Sequence, residues 1–208
     1  MVRTLFQPTS YLEPEEAHAL INAASKVSHH AERDSLLLET LWQTGGRKTE
    51  VLTLTPERIG HNALALDNLK QPTLTVKEVY ITATLCEKLK AFCKKHKIAS
   101  GEYIFKPNRK DAKLPYLSPW YVWKLVEKCS REAMVFKLKK RGKAYKGPRY
   151  KEAWPHLFRH GAAMHILDTT GSTELVQRQL GHSFITTSQG YAVLKADKAR
   201  RELSEIEW

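Results

Sequence analysis

The segment LLLETLWQTGGRKTEVLTL, residues 36–54, limits the fold of this chain more than any other stretch. Leu37, Leu38, Leu41 and Trp42 recur at i, i+1, i+4 and i+5, the pattern of a helix face turned into a core. Gly45 and Gly46 follow at once, and two glycines stop a helix. The spacing predicts a helix from about Ala31 to Thr44, with Arg47 opening the next element and a short helix through Val51 and Leu52. A helix with so broad an apolar face needs other elements to cover it. The chain has 208 residues, 42% of them hydrophobic, which is enough for one good core.

The covering elements are legible on both sides. Pro14 with Glu15 and Glu16 reads as a first helical turn, since proline wastes no bond there and acids suit the positive end of the helix dipole. Leu12, Ala17, Leu20, Ile21 and Ala24 then form an apolar stripe. After residue 60 the period changes to two, with Leu64 and Leu66, then Leu74 and Val76, an interruption at Lys77, and Val79 and Ile81. This predicts an antiparallel hairpin or three-stranded sheet around the exposed tip DNLKQP, which carries Lys70. Thr82 is placed to cap a helix with Leu85, Leu89 and Phe92 inward, and Ser118-Pro119 to start one carrying Val122, Leu125, Val126 and Cys129. The expected fold class is mainly α with a small antiparallel β-sheet, an α+β arrangement in one domain without internal repeats.

Charge points to the partner. Lys plus Arg exceed Asp plus Glu by 34 − 22, a net +12 that attracts polyanions, nucleic acid first among them. The run KLKKRGKAYKGPRYK holds eight basic residues and no acid, so it cannot bury an apolar face. It reads as an arm or loop whose Lys137, Lys139, Lys140, Arg141, Lys143, Lys146 and Arg149 contact a phosphate backbone. Cys86, Cys93 and Cys129 are an odd count with no CxxC pair, which suggests neither a disulfide framework nor a metal site. Buried free thiols in the cytoplasm fit better. The start MVRTLFQPTSYLEPEE lacks a signal-peptide core, and no stretch nears the roughly 18 apolar residues of a membrane span.

Four separated segments carry polar residues in suggestive company: TGGRKTEVLTL, the DNLKQP tip, HLFRH, and LGHSFITTSQGY. In this order they resemble the catalytic domain of the tyrosine recombinases, the phage integrase family. The first box of that family matches Arg47, Glu50, Leu52 and Leu54. Its second, histidine-x-x-arginine, matches His156 and Arg159, and its third matches Leu180, Gly181, His182 and, nine residues beyond the histidine, Tyr191. The resemblance covers about residues 11–195, with a tail of residues 1–10 before it and residues 196–208 after it as a possible subunit-docking segment. Many relatives carry a further N-terminal DNA-gripping domain, so the chain is expected to be either a naturally short form or a piece of a longer protein.

The resemblance implies a DNA breaking-rejoining fold and a strand exchange in which the Tyr191 hydroxyl attacks a phosphodiester, leaving a 3′-phosphotyrosyl link and a free 5′-hydroxyl. Neither metal nor other cofactor is required, because the covalent intermediate stores the bond energy. Double-stranded DNA is the implied partner, bound by a homo-tetramer, with a monomer possible free in solution and no membrane involved. The residue types suit this chemistry. A phenol of pKa about 10 is a poor nucleophile at neutral pH, so two arginines, Arg47 and Arg159, are expected to clamp the nonbridging oxygens with charge-assisted bonds. His182 is expected to donate another bond to the phosphate and His156, three residues before Arg159 and on the same helical face, to act as general base. Lys70 is favoured over Lys77 as the acid for the leaving oxygen, because a hairpin tip reaches a bound phosphate where a mid-strand lysine usually does not. Glu50 is expected to hold the Arg47 guanidinium or a neighbouring strand in place. A type IB-like topoisomerase and a non-enzymatic DNA-binding protein of the same fold are the alternatives.

Overall fold

The computed structural model describes residues 11–68, 75–109, 111–133 and 155–181. Seven helices and a two-stranded sheet are found among them: α1 (Pro14–Val27), α2 (Ala31–Thr44), α3 (Lys48–Leu52), β1 (Ala63–Asn68), β2 (Thr75–Tyr80), α4 (Ala83–Lys95), α5 (Pro119–Glu132), α6 (Pro155–Thr170) and α7 (Thr173–Leu180). A 3-10 turn at Pro56–Arg58 links α3 to β1.

Local chemistry sets most of these boundaries. Glu13 closes a reciprocal cap with Glu16 at the start of α1, its backbone N–H donating to the Glu16 carboxylate at 2.9 Å. The Thr82 and Ser118 hydroxyls accept from the Leu85 and Tyr121 N–H groups, as the sequence predicts for α4 and α5. At the end of α2, Thr44 donates to the Thr40 carbonyl and accepts from the Gly46 N–H, and Gly45 turns left-handed at φ 56° and ψ 16°. A side chain at Gly45 would also strike Leu180, whose Cδ2 lies 2.4 Å from where a Cβ would be, so the ends of α2 and α7 meet there.

α2 is the central helix. It packs against α1 on one side and α6 on another, with α4 and β2 also against it, while α5 covers α1. Leu37, Leu38 and Leu41 are fully enclosed, each worth about 1.5–3 kcal/mol of burial. The main core runs from Leu12 through Ala162, and a smaller cluster of Tyr11, Ala163, Met164, Leu167, Val176 and Leu180 seats α7 on α6. The three cysteines are free and buried, and burial, with Asp34 nearby, pushes the Cys129 thiol up to about 12.

One expectation needs correction. β1 and β2 form one antiparallel pair, with Leu66 opposite Lys77 and Leu64 opposite Val79. The inward face of β2 is therefore that of Lys77 and Val79, and Val76 points outward at 59% exposure. Lys77 does not interrupt the pattern; it belongs to the buried face, where Glu50 meets its ammonium. Gly181, which ends α7, has φ 96° and ψ 151°, an extended backbone of the kind that only glycine adopts with ease. Among the described residues, no helix is long and apolar enough to cross a membrane.

Candidate active site

Arg47 begins α3 just past the double glycine, and Glu50 sits one turn on. The Glu50 carboxylate accepts from the Arg47 backbone N–H at 2.9 Å and from its guanidinium at 2.6 Å. The oxygen that accepts from the Arg47 N–H also takes the Lys77 ammonium, at 2.8 Å. Glu50 thus ties α3 to β2, with its own side chain fully enclosed and those of Arg47 and Lys77 only 16% and 10% exposed.

The C-terminal end of α7 closes the other side. Lys77 also donates to the Leu180 carbonyl at 3.3 Å, and its Cδ lies 3.6 Å from where a Gly181 Cβ would be. The Leu180 carbonyl accepts from Arg159 as well, at 2.9 Å, while the other terminal nitrogen of that guanidinium donates to the Gly45 carbonyl at 2.7 Å. Arg159 is thereby held between the ends of α2 and α7, at 1% exposure. Arg47, Glu50, Lys77 and Arg159 come from three elements, α3, β2 and α6, and form one charged cluster.

Among the described residues, Arg47 and Lys77 meet the Glu50 carboxylate and Arg159 lies near Lys77, and the electrostatics follow from that arrangement. Burial by itself pushes the Glu50 carboxyl up, but the Lys77 charge and the hydrogen bonds from Lys77 and Arg47 outweigh it and hold the group below the usual carboxylate range. Burial depresses the Lys77 ammonium; Glu50 opposes this, Arg159 and Arg47 add to it, and the net places Lys77 below the ordinary lysine range. Such a site favours an added anion, and the planar donors of two arginines suit a tetrahedral oxyanion such as a phosphate.

α6 carries the second box, but its two residues differ in surroundings. His156, in the first turn, is exposed, whereas Arg159, one turn deeper, is enclosed. The His156 ring meets His160 edge to face at 5.3 Å between centroids. His160 is half-buried, and burial, with His156 and Arg159 nearby, pushes its imidazole down to about 4. His165 stacks on Trp42 at 5.8 Å. Lys70, His182, Tyr191 and the basic residues Lys137, Lys139, Lys140, Arg141, Lys143, Lys146 and Arg149 lie outside the described residues, as do the two tails. Among the described residues, no group of three or more His, Cys, Asp or Glu side chains is arranged to hold a metal ion.

Sequence reasoning takes Lys77 for an interruption of the strand pattern and gives no sign of Gln179. A mid-strand lysine reads as a surface residue, yet this one points into the cluster because β2 is in the register that places it opposite Leu66. Its phase with Val79 and Ile81 was the available signal. Gln179 had none: its side chain bonds to the backbone of Gln43, Thr44 and Tyr80, all distant in sequence.

A family profile described as "Phage integrase family" matches residues 10–198. The chain is 24% identical over 201 residues to tyrosine recombinase XerD of Staphylococcus epidermidis, an alignment covering 94% of this chain and 61% of that protein. It is 26% identical over 193 residues to tyrosine recombinase XerA of Pyrococcus furiosus, covering 89% and 57%. The chain thus spans about three fifths of the length of these relatives. Among solved structures, the post-cleavage complex of XerH site-specific recombinase with a palindromic difH substrate superposes with TM-score 0.71 at 21% identity, over 96% of this chain and 54% of that one. The catalytic domain of bacteriophage HP1 integrase gives TM-score 0.58 at 19% identity, over 96% and 99%. At these identities the structural likeness shows a shared fold.

Proposed function

The chain belongs to the phage integrase family, and from that premise we propose that it is the catalytic module of a site-specific DNA recombinase that cleaves and rejoins DNA through a 3′-phosphotyrosyl intermediate. The observation that carries this reading is the convergence of Arg47, Lys77 and Arg159 around Glu50 and the Leu180 carbonyl, two residues before His182. Three cations against one buried carboxylate form a seat for a phosphodiester and for the extra charge of its pentacovalent transition state.

In this mechanism Arg47 and Arg159 grip the nonbridging oxygens and His182 donates a further bond. Tyr191 attacks phosphorus, forming the Tyr O–P bond as the P–O5′ bond breaks. The phenolic proton passes to His156, whose exposure on the first turn of α6 leaves it accessible. The leaving O5′ takes a proton from a lysine. Lys77 fits that part better than Lys70 does on the sequence argument alone, because it already sits in the cluster and its depressed proton affinity makes it a stronger acid. A 5′-hydroxyl from a partner strand then reverses the step, with no metal or nucleotide consumed. The basic arm, Lys137 to Arg149, would hold the phosphate backbone outside the site. Exchange between two duplexes calls for a homo-tetramer on DNA, with residues 196–208 as its docking segment.

The test is covalent trapping on a nicked suicide substrate carrying a candidate site, with Tyr191→Phe as control. Wild type is expected to form a protein-DNA adduct and the variant none. An adduct from Tyr191→Phe would remove Tyr191 as nucleophile. Supercoil relaxation at arbitrary sequence without strand exchange would move the assignment to a type IB-like topoisomerase.

A further inference from the structure

Gln179 makes the most widely distributed set of side-chain contacts near the cluster, and no step of the chemistry uses it. Its amide nitrogen donates to the Tyr80 carbonyl at 2.7 Å, to the Gln43 carbonyl at 3.0 Å and to the Thr44 carbonyl at 3.5 Å. Its amide oxygen accepts from the Tyr80 N–H at 3.0 Å. One side chain therefore pairs with the edge of β2 as a further strand would, and also engages carbonyls at the end of α2 that have no partner within the helix.

Each contact lies within three residues of a group that builds the cluster. Thr44 precedes Gly45, whose carbonyl seats one end of the Arg159 guanidinium, and Gln179 precedes Leu180, whose carbonyl seats the other. The Leu180 carbonyl also receives Lys77, three residues along β2 from Tyr80. Arg178 adds a second clasp on the same strand, donating to the Tyr80 hydroxyl at 3.0 Å and lying 5.4 Å from its ring centroid. The ends of α2 and α7 touch by Leu180 against Gly45, an apolar contact that leaves their axial position adjustable. A buried amide bonded to both sides fixes it, since each hydrogen bond is directional and costly to leave unmade.

We propose that Gln179 is a positioning residue: it sets the spacing of the Gly45 and Leu180 carbonyls and so the placement of Arg159 and Lys77. The catalytic consequence rests on the reading of those two residues as clamp and acid; the geometric one does not. Gln179→Met keeps the length and apolar bulk of the side chain and removes all four contacts. Single-turnover adduct formation at saturating DNA is expected to fall about 10- to 100-fold, as for a misplacement of about an ångström. DNA affinity should stay within about twofold, since a positioning effect acts on the transition state rather than on binding.

A second readout is independent of activity. Lys77 would lose a fixed acceptor for its charged form while Glu50, Arg47 and Arg159 still face it, so its ammonium, followed by nitrogen-detected NMR, should titrate at lower pH than in wild type. Gln179→Leu, which also lacks the acceptor and the amide donors and adds no charge beside Lys77, is read in the same two ways and takes over if the methionine variant fails to fold. An unchanged Lys77 titration overturns the proposal, as does a cleavage loss no greater than the loss of folded protein. If wild type forms no adduct, the recombinase reading falls, and the titration still decides the role of Gln179.

Discussion

Two buried polar networks lie in this fold, and they differ in charge balance. The first joins Arg33 and Asp34, both on α2. Asp34 accepts from Arg33 Nε at 2.9 Å and from the hydroxyls of Ser28 and Tyr121, each at 2.5 Å. Arg33 donates onward to the Lys106 carbonyl and to Asn108 at 3.1 Å and to the Tyr121 hydroxyl at 3.0 Å. One cation meets one anion, and the bonds pin the loop before α5 to the start of α2. Among the described residues, the second network gathers Arg47, Lys77 and Arg159 around Glu50, with backbone carbonyls completing the geometry. A balanced buried pair holds structure together. A buried excess of cations raises the free energy of the folded chain until an anion arrives, as the proposed seat for a phosphodiester requires.

The sharpest way to break this comparison is to make the same change in both networks. Arg159→Lys keeps the charge and loses the planar fork, so adduct formation should fall about 10²- to 10³-fold. Arg33→Lys should lower thermal stability and leave adduct formation per folded molecule within about twofold, because a change outside the reacting cluster leaves transition-state stabilisation intact. Equal losses of cleavage from the two variants would end the distinction. Asp34→Asn probes the other side: it strips the counter-charge from a guanidinium that is 6% exposed, and should cost about 3–5 kcal/mol in urea denaturation with little change in cleavage rate. A cost near zero would mean that the first network is not the structural one.

Much of the scaffold, and less of the site, could be read from sequence, for one physical reason. The starts of α1, α4 and α5 and the end of α2 are fixed by contacts within a few residues, such as Thr82 with Leu85, Ser118 with Tyr121 and the turn at Gly45. Arg47 and Glu50 also meet within one turn. Lys77 and Gln179 act across 103 and 136 residues of chain, and the groups that offset their burial are backbone carbonyls, which every residue has and no motif marks. Periodicity read Val76 as inward because it is apolar, while the structure turns Lys77 inward because Glu50 and the Leu180 carbonyl offset its desolvation.

The finest test separates the networks by pH. Lys77 has a folded pKa below its unfolded value, so between the two the unfolded chain holds more protons, and stability from this group rises as pH climbs through that window. An acid catalyst must be protonated, so cleavage should fall over the same interval, beginning below the ordinary lysine range near pH 10. Stability and activity are thus expected to move in opposite directions on the alkaline side, which a balanced structural pair would not produce. Glu50→Gln removes the group that most strongly raises the Lys77 pKa, so the alkaline limb of adduct formation should shift to lower pH. A substrate with sulfur at the bridging 5′ position supplies a leaving group that needs no proton and should flatten the limb in both proteins. A limb at ordinary lysine pH that ignores Glu50→Gln would take the acid's role from Lys77 and leave the excess cations with binding alone.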